Sequence, residues 1–262
     1  MINGLHTSAL AAYGQNTRLG IISNNLANVD TPGFRKESLT FGERLVEAQE
    51  GFQDYVHYNS YVDRYGGAPF IDSMHFDRTP GVIEQTERPL DFALDGEGFF
   101  GVVDPATETV HYTRAGNFTI NAEGYLVTAD GRYRVLNRGN EPIQLALEGT
   151  SEIRVGRDGS LALFRNEPGV APVEAGNIGV FQVPVSQLTK FGDTLLRNLG
   201  GEGVPVENPT VQQGYLESSS VDPVREMVDM IATMRIAEAN MSMIRFQDAT
   251  LDRAINNLGR LG

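Results

Sequence analysis

The sequence predicts an α+β chain in which long N- and C-terminal helices pair as a coiled coil around a central all-β domain, an antiparallel sandwich or barrel. Three observations carry this expectation. All 12 prolines lie between Pro32 and Pro223, so both ends permit long helices and the middle does not. Both ends place apolar residues at alternating three- and four-residue steps, the spacing of a helix seam. The middle alternates β-branched and aromatic runs with Asp-Gly and Glu-Gly turns, the pattern of hairpins.

At the N-terminus the seam runs Ile2, Leu5, Ala9, Ala12, Asn16, Leu19, Ser23, Leu26. About 25 helical residues there would span roughly 37 Å. The stretch SNNLANVDTPGFRK, Ser23 to Lys36, closes the helix. Asn28 suits the left-handed position of a C-cap, and Thr31-Pro32-Gly33 prevents continuation. Asn24 and Asn25 still fall within the last turns, where asparagine is a poor helix former. Their amides carry two donors and one acceptor group apiece, which suits them to bonding neighbouring helices. The other reading of the pair is a brake that keeps the helix weak until it finds a partner.

The C-terminal seam is longer: Met227, Met230, Met234, Ala237, Met241, Ile244, Asp248, Leu251, Ile255, Leu258. Asp222 before Pro223 is an N-cap followed by proline at the first helical position, and Gly259 ends the run. Such a helix, about 36 residues and roughly 54 Å, needs a partner to be stable. Asp248 either sets register through a polar partner or faces water. The concentration of methionine in this segment suits core packing and also adaptable contact with neighbours.

In the middle, FALDGEGFFGVVD, VHYTRAGNFTI, GYLVTADGRYRVL and EIRVGRDGSLALF read as strands, with hairpins at Asp130-Gly131 and Asp158-Gly159. Of the less regular residues before them, LTFGERLVEAQE reads as further helix and DYVHYNSYVDRYGG as an extended arm. NLGGEGVPVENPT reads as a linker. The expected divisions are therefore an N-terminal helix over 1–33, a connecting arm over 34–80, a β-rich domain over 81–210 and a C-terminal helical segment over 211–262.

The net charge of −13 falls almost wholly in the middle, because residues 1–33 sum to zero and residues 221–262 to −1. An acidic middle argues against nucleic-acid binding, while near-neutral ends can approach one another or their copies without strong repulsion. Cysteine is absent, which excludes disulfides, thiolate catalysis and cysteine zinc sites. No run of apolar residues is long enough to span a bilayer as a helix. The opening MINGLHTSALAAYGQN lacks the basic and apolar regions of a cleaved signal peptide.

The sequence carries little that points to catalysis or ligand binding. GEGFFG, Gly96 to Gly101, matches G-x-G-x-x-G in letter, but a dinucleotide site needs a helix after it, and VVDP follows. Asp91, Asp95 and Glu97 invite comparison with a glycosidase acid–base pair, although Asp95 and Glu97 flank a turn glycine, where Asp is common for backbone reasons. His6, His57, His75 and His111 are scattered without ligand spacing. No catalytic, cofactor or metal set is expected, nor a small-molecule substrate.

SNNLANVDTPGFRK resembles the signature of bacterial flagellar axial proteins, the rod, hook and hook-associated proteins. TPGVIEQTERPLDFALDGEGFF (79–100) and YTRAGNFTINAEGYLVTADG (112–131) resemble the motifs of their β body. QGYLESSSVDPVREMVDMIATMRIAEANMSMI (213–244) resembles their C-terminal signature. The resemblance covers most of the chain, and its length is similar to that of a rod protein rather than a longer hook protein. It implies a structural subunit of the basal-body rod, exported through the flagellar type III apparatus without a cleaved signal. Such subunits self-assemble with other rod proteins into a helical tube through the periplasm that transmits motor torque, with the hook and outer ring proteins as further partners. The tyrosine-rich 37–78 departs from the distal pattern and favours the proximal rod, with the distal rod as the alternative. Two other readings stay open: a secreted β-headed module on a coiled-coil stalk, and a cell-wall hydrolase. The expected assembly interface comprises Leu5, Leu19, Asn24, Asn25, Leu26 and Asn28, with Met230, Met234, Met241, Ile244, Leu251 and Ile255.

Overall fold

The structure, a computed structural model, describes residues 2–43, 69–77, 79–146, 150–165, 171–184 and 187–258. The chain forms two compact units. The first comprises Met1–Ala27, Lys36–Asp77 and Asp222–Gly262; the second comprises Asn28–Arg35 and Arg78–Val221.

The first unit holds helix α1 (Ile2–Ala27), helix α2 (Pro223–Leu258) and a hairpin of β1 (Glu37–Glu43) and β2 (Pro69–Phe76). The Asp222 carboxylate accepts the backbone N–H groups of Val224 at 3.0 Å and Arg225 at 3.2 Å, so α2 starts on the cap expected for it. The helices pack on one another. The end of α1 lies beside the start of α2, where Asn25 bonds Glu226, and the two run antiparallel. Ala12, Ile21, Ile22 and Asn25 are buried on α1, and Glu226 and Thr233 on α2.

Leu39–Glu43 is strand, not the helix expected from LTFGERLVEAQE. Its residues pair antiparallel with β2, from Glu37 opposite Phe76 to Glu43 opposite Pro69, with a bulge between Thr40 and Phe41. Phe41 packs on α1 at Gly14, where a Cβ would come within 3.0 Å of the ring. The remainder of that stretch and DYVHYNSYVDRYGG lie outside the described residues.

The second unit is antiparallel β throughout. Among the described residues its largest sheet has nine strands. One path runs, in spatial order, through β14 (Leu188–Lys190), β15 (Leu195–Asn198), β6 (Val110–Thr113), β5 (Phe99–Val103), β9 (Arg134–Val135), β8 (Leu126–Thr128) and β7 (Phe118–Ile120). β13 (Val180–Gln182) pairs with β5 and with β16 (Val204–Pro205). β10 (Thr150–Val155), β11 (Ser160–Arg165) and β12 (Val173–Asn177) form a second sheet. Two short ladders join β17 (Val211–Gln213) to β4 (Phe92–Leu94), and β18 (Tyr215–Glu217) to β3 (Ile83–Gln85). Among the described residues no sheet closes: β14 and β7 end the long path, so the barrel part of the expectation is not met.

Both Asp-Gly hairpins form, at β8–β9 and β10–β11. GEGFFG is a turn feeding β5 rather than a helix. The segment expected as a linker is part of the sheet: Val204 pairs with Gln182, and the Gly203 N–H donates to the Tyr112 hydroxyl at 2.6 Å.

The core gathers Phe92, Phe100, Phe118, Leu126, Leu161, Ile178 and Val211. Phe100 meets Phe118 edge-on at 5.3 Å, a favoured aromatic geometry. His111 is a packing residue, stacked on Phe191 at 4.6 Å with its pKa held below the usual value, chiefly by burial and also by nearby Arg197. His75 is exposed.

Candidate assembly interface

The signature Ser23–Lys36 contributes to both units, and its polar residues are used one by one. In the first unit Asn25 is 1% exposed. Its Nδ2 donates to the Glu37 carbonyl at 2.9 Å and to Glu226 Oε2 at 3.2 Å, and its Oδ1 accepts the Glu37 N–H at 3.0 Å. The amide thus serves both main-chain groups of Glu37, as a neighbouring strand would, and ties the start of β1 to the start of α2. Lys36 pairs with the other Glu226 oxygen. Asn25→Ala would leave these buried groups unmatched, at about 1–3 kcal/mol. Hydrogen exchange checks this: the Glu37 amide should exchange faster in the variant, and unchanged protection would refute the clamp.

In the second unit the Thr31 hydroxyl donates to Asn28 Oδ1 at 3.1 Å, and the Thr31 N–H to the Asn28 carbonyl at 3.2 Å. Asn28 thus turns the chain through its hydrogen bonds rather than from the left-handed C-cap position expected for it; the left-handed residue of the signature is Gly33, with φ +67°. Phe34 is 1% exposed, with the Lys190 ammonium 4.1 Å from its ring centroid. Arg35 and Arg114 converge on Glu217, at 2.9 Å to Oε1 and 3.0 Å to Oε2. All three side chains are buried. The Gly81 N–H donates to Oε1 at 3.0 Å, and the Gly33 N–H to the Glu217 carbonyl at 2.8 Å.

Two adjacent bases, Arg35 and Lys36, thus engage two distant acids, Glu217 and Glu226. Sequence reasoning did not single out these four or Arg114. The available signal was the Arg-Lys pair one residue after a Pro-Gly turn, with an acid on each side of Val221-Asp222-Pro223.

The seams traced from sequence divide into two columns on each helix. On α1 Ala12 is buried and Leu19 and Leu26 half-buried, while Ala9, Asn16 and Ser23 are exposed. On α2 Met230, Ala237, Ile244 and Leu251 are half-buried, while Met227, Met234, Met241 and Asp248 are exposed. Glu226 and Thr233 replace the exposed column on the covered side of α2, with half-buried Asn240 and Gln247 continuing it. Asn24 is half-buried. The side chains of Leu5 and Ile255 lie outside the described ones.

Three family models match the chain: a flagella basal body rod protein model over 5–35, the D1 domain of the flagellar hook protein FlgE/F/G over 93–163, and the C-terminal part of the flagellar basal body rod FlgEFG protein over 212–258. The flagellar basal-body rod protein FlgG of Bacillus subtilis is 31% identical over 98% of this chain and 99% of its own. The chain belongs to the flagellar basal-body rod protein family. Rod proteins named FlgF match as well, from Rhizobium meliloti at 29% over 99% of both chains, and from Caulobacter vibrioides at 30% over 100% of this chain and 99% of its own. The two terminal models together take in Asn25, Phe34, Arg35, Glu217 and Glu226, so the residues that tie the chain ends down in each unit fall inside the rod-family segments.

Of the acids considered for hydrolysis, Asp91 is otherwise engaged in this rod-family chain. Asp91 is 1% exposed and has both oxygens occupied by Arg88, at 2.9 and 2.8 Å, with the Thr86 hydroxyl at 2.7 Å. Asp95 and Glu97 are exposed on the turn before β5.

Proposed function

We propose that the chain self-assembles with other flagellar axial proteins into the helical tube of the rod, which carries torque from motor to hook. As a rod-family member it is a structural subunit of the flagellar basal body. The observation that supports tube building is the pair of long terminal helices with uncharged or apolar columns turned outward: an exposed apolar face along a helix marks an interaction surface. Contacts of one copy's face with a different face of the next generate open, screw-related assemblies. We assign lateral contacts to Leu5, Leu19, Leu26, Met230, Met234, Met241, Ile244, Leu251 and Ile255, and give Asn25 the role of setting the geometry at the helix ends.

Export through the flagellar type III apparatus without a cleaved signal, and a periplasmic site flanked by hook and outer ring proteins, complete the reading. The proximal rod is favoured over the distal rod by the tyrosine-rich stretch 37–78. A strain lacking its proximal rod subunit should regain swimming when this chain is expressed, and one lacking the distal subunit should not; the reverse would reassign the segment.

The assembly reading is tested by removing α2. Deleting residues 223–262 spares all the residues of the second unit. The shortened chain should still be secreted but be missing from purified basal bodies. Its incorporation at the level of the full chain would overturn the reading.

A further inference from the structure

We infer that the outward methionine column of α2 docks on the outward small-residue column of α1 in a second copy of this chain. This rests on the assembly reading above and specifies which faces meet. The methionine column carries the proposal. Met227, Met234 and Met241 recur every seventh residue and are 46%, 45% and 51% exposed, with Val224, Val228 and Ile231 alongside at 65%, 61% and 54%. A run of apolar side chains this exposed along one helix marks an interaction surface, and unbranched methionine adapts to the partner's relief. Within its own chain this column is displaced from α1 by Glu226 and Thr233, so the intrachain packing leaves it free for a neighbour.

The occupant is identified by complementarity. On α1, Ala9, Tyr13, Asn16, Gly20, Ser23 and Ala27 form an exposed, uncharged column at the same three- and four-residue steps. All but Tyr13 are small, which leaves hollows where long side chains can seat. Ala9 to Ala27 spans about 27 Å of helix and Val224 to Met241 about 26 Å, so the ridge and its receptor match in length. Asp248 ends the apolar column one heptad beyond Met241. A ridge on one helix meeting a groove on another is a heterologous contact, and repeating it builds an open row of copies.

The chain has no cysteine, so introduced thiols report contacts without background. Chains carrying Asn16→Cys are mixed with chains carrying Met234→Cys under mild oxidation. A disulfide needs the two Cβ atoms about 4 Å apart, so mixed dimers should form, and roughly tenfold less with Met243→Cys, which lies on another face. Equal yields from the two pairs would overturn the docking and leave the rod reading standing. So would the absence of any mixed dimer under conditions where the unmodified chain polymerises. A chain that stays monomeric at every concentration would overturn both.

A second measurement needs no substitution. Hydrogen peroxide transfers one oxygen atom to a thioether, giving sulfoxide and water, at a rate that follows exposure. In polymer, Met227, Met234 and Met241 should oxidise roughly tenfold more slowly than in free chain by mass spectrometry, with Met243 less changed. Polymer in which all four react alike would overturn the docking.

Discussion

Glu217→Ala is expected to destabilise the second unit by about 3–5 kcal/mol, the usual cost of removing one partner from a buried ion pair. Glu217 is 1% exposed and its partners Arg35 and Arg114 are 8% and 6% exposed. Truncation would remove the carboxylate that both guanidinium groups share, and would orphan the Gly81 N–H that its Oε1 accepts at 3.0 Å. Arg114 would retain the Gly96 carbonyl at 2.6 Å, but a carbonyl does not neutralise charge. Glu217→Gln isolates that point. It keeps the size and one acceptor, so a loss close to that of Glu217→Ala assigns the effect to charge rather than volume. The readout is hydrogen exchange of the β5 and β6 amides, which open only when the largest sheet does. Exchange in Glu217→Ala as slow as in the parent chain would refute the prediction.

The helices and the two Asp-Gly hairpins were legible because each is encoded locally. Asp222-Pro223 marks a helix start within two residues, and Asp-Gly between alternating runs fixes a turn within four. The side each helix buries was not legible. Both columns of each seam are uncharged over most of their length, so periodicity marks a stripe without saying which column turns inward. That choice is made by α1 and α2 together, and it places polar Glu226 and Thr233 inside and Met227, Met234 and Met241 outside.

β1 was missed for a related reason. Its partner β2 begins at Pro69, across a stretch with no clear pattern, and a strand is stabilised by cross-strand pairs rather than by its own sequence. β16 is two residues long and looks like linker until β13 is set beside it, and β17 and β18, three residues each, fall inside the expected C-terminal helical segment until β4 and β3 are set beside them. Asn25 was singled out correctly as unusual for a helix end. Its hydrogen bonds, however, go to Glu37 and Glu226 of its own chain, and no local pattern connects a residue at 25 to one at 226.

Gly33→Ala is the second large effect expected, and it tests the signature turn directly. Gly33 has φ +67°, and a Cβ there would lie 2.3 Å from both the Ala115 nitrogen and the Arg114 carbonyl carbon. Those are main-chain atoms, which cannot rotate aside as a side chain would. Gly131 supplies the control, because it has φ +72° with open space around its Cβ position. Gly131→Ala should therefore cost only the left-handed backbone strain, about 1–2 kcal/mol. Gly33→Ala adds overpacking of about 1–3 kcal/mol, and the push falls on the backbone that aims Arg114 at Glu217. Urea unfolding followed by exchange at β5 and β6 should place Gly33→Ala well below Gly131→Ala in stability. Adding Glu217→Ala to Gly33→Ala should cost less than the sum of the two single changes, because both disturb the same ion cluster. Equal losses for the two glycine variants, or full additivity with Glu217→Ala, would show that the turn at Gly33 does not hold Arg114 in place.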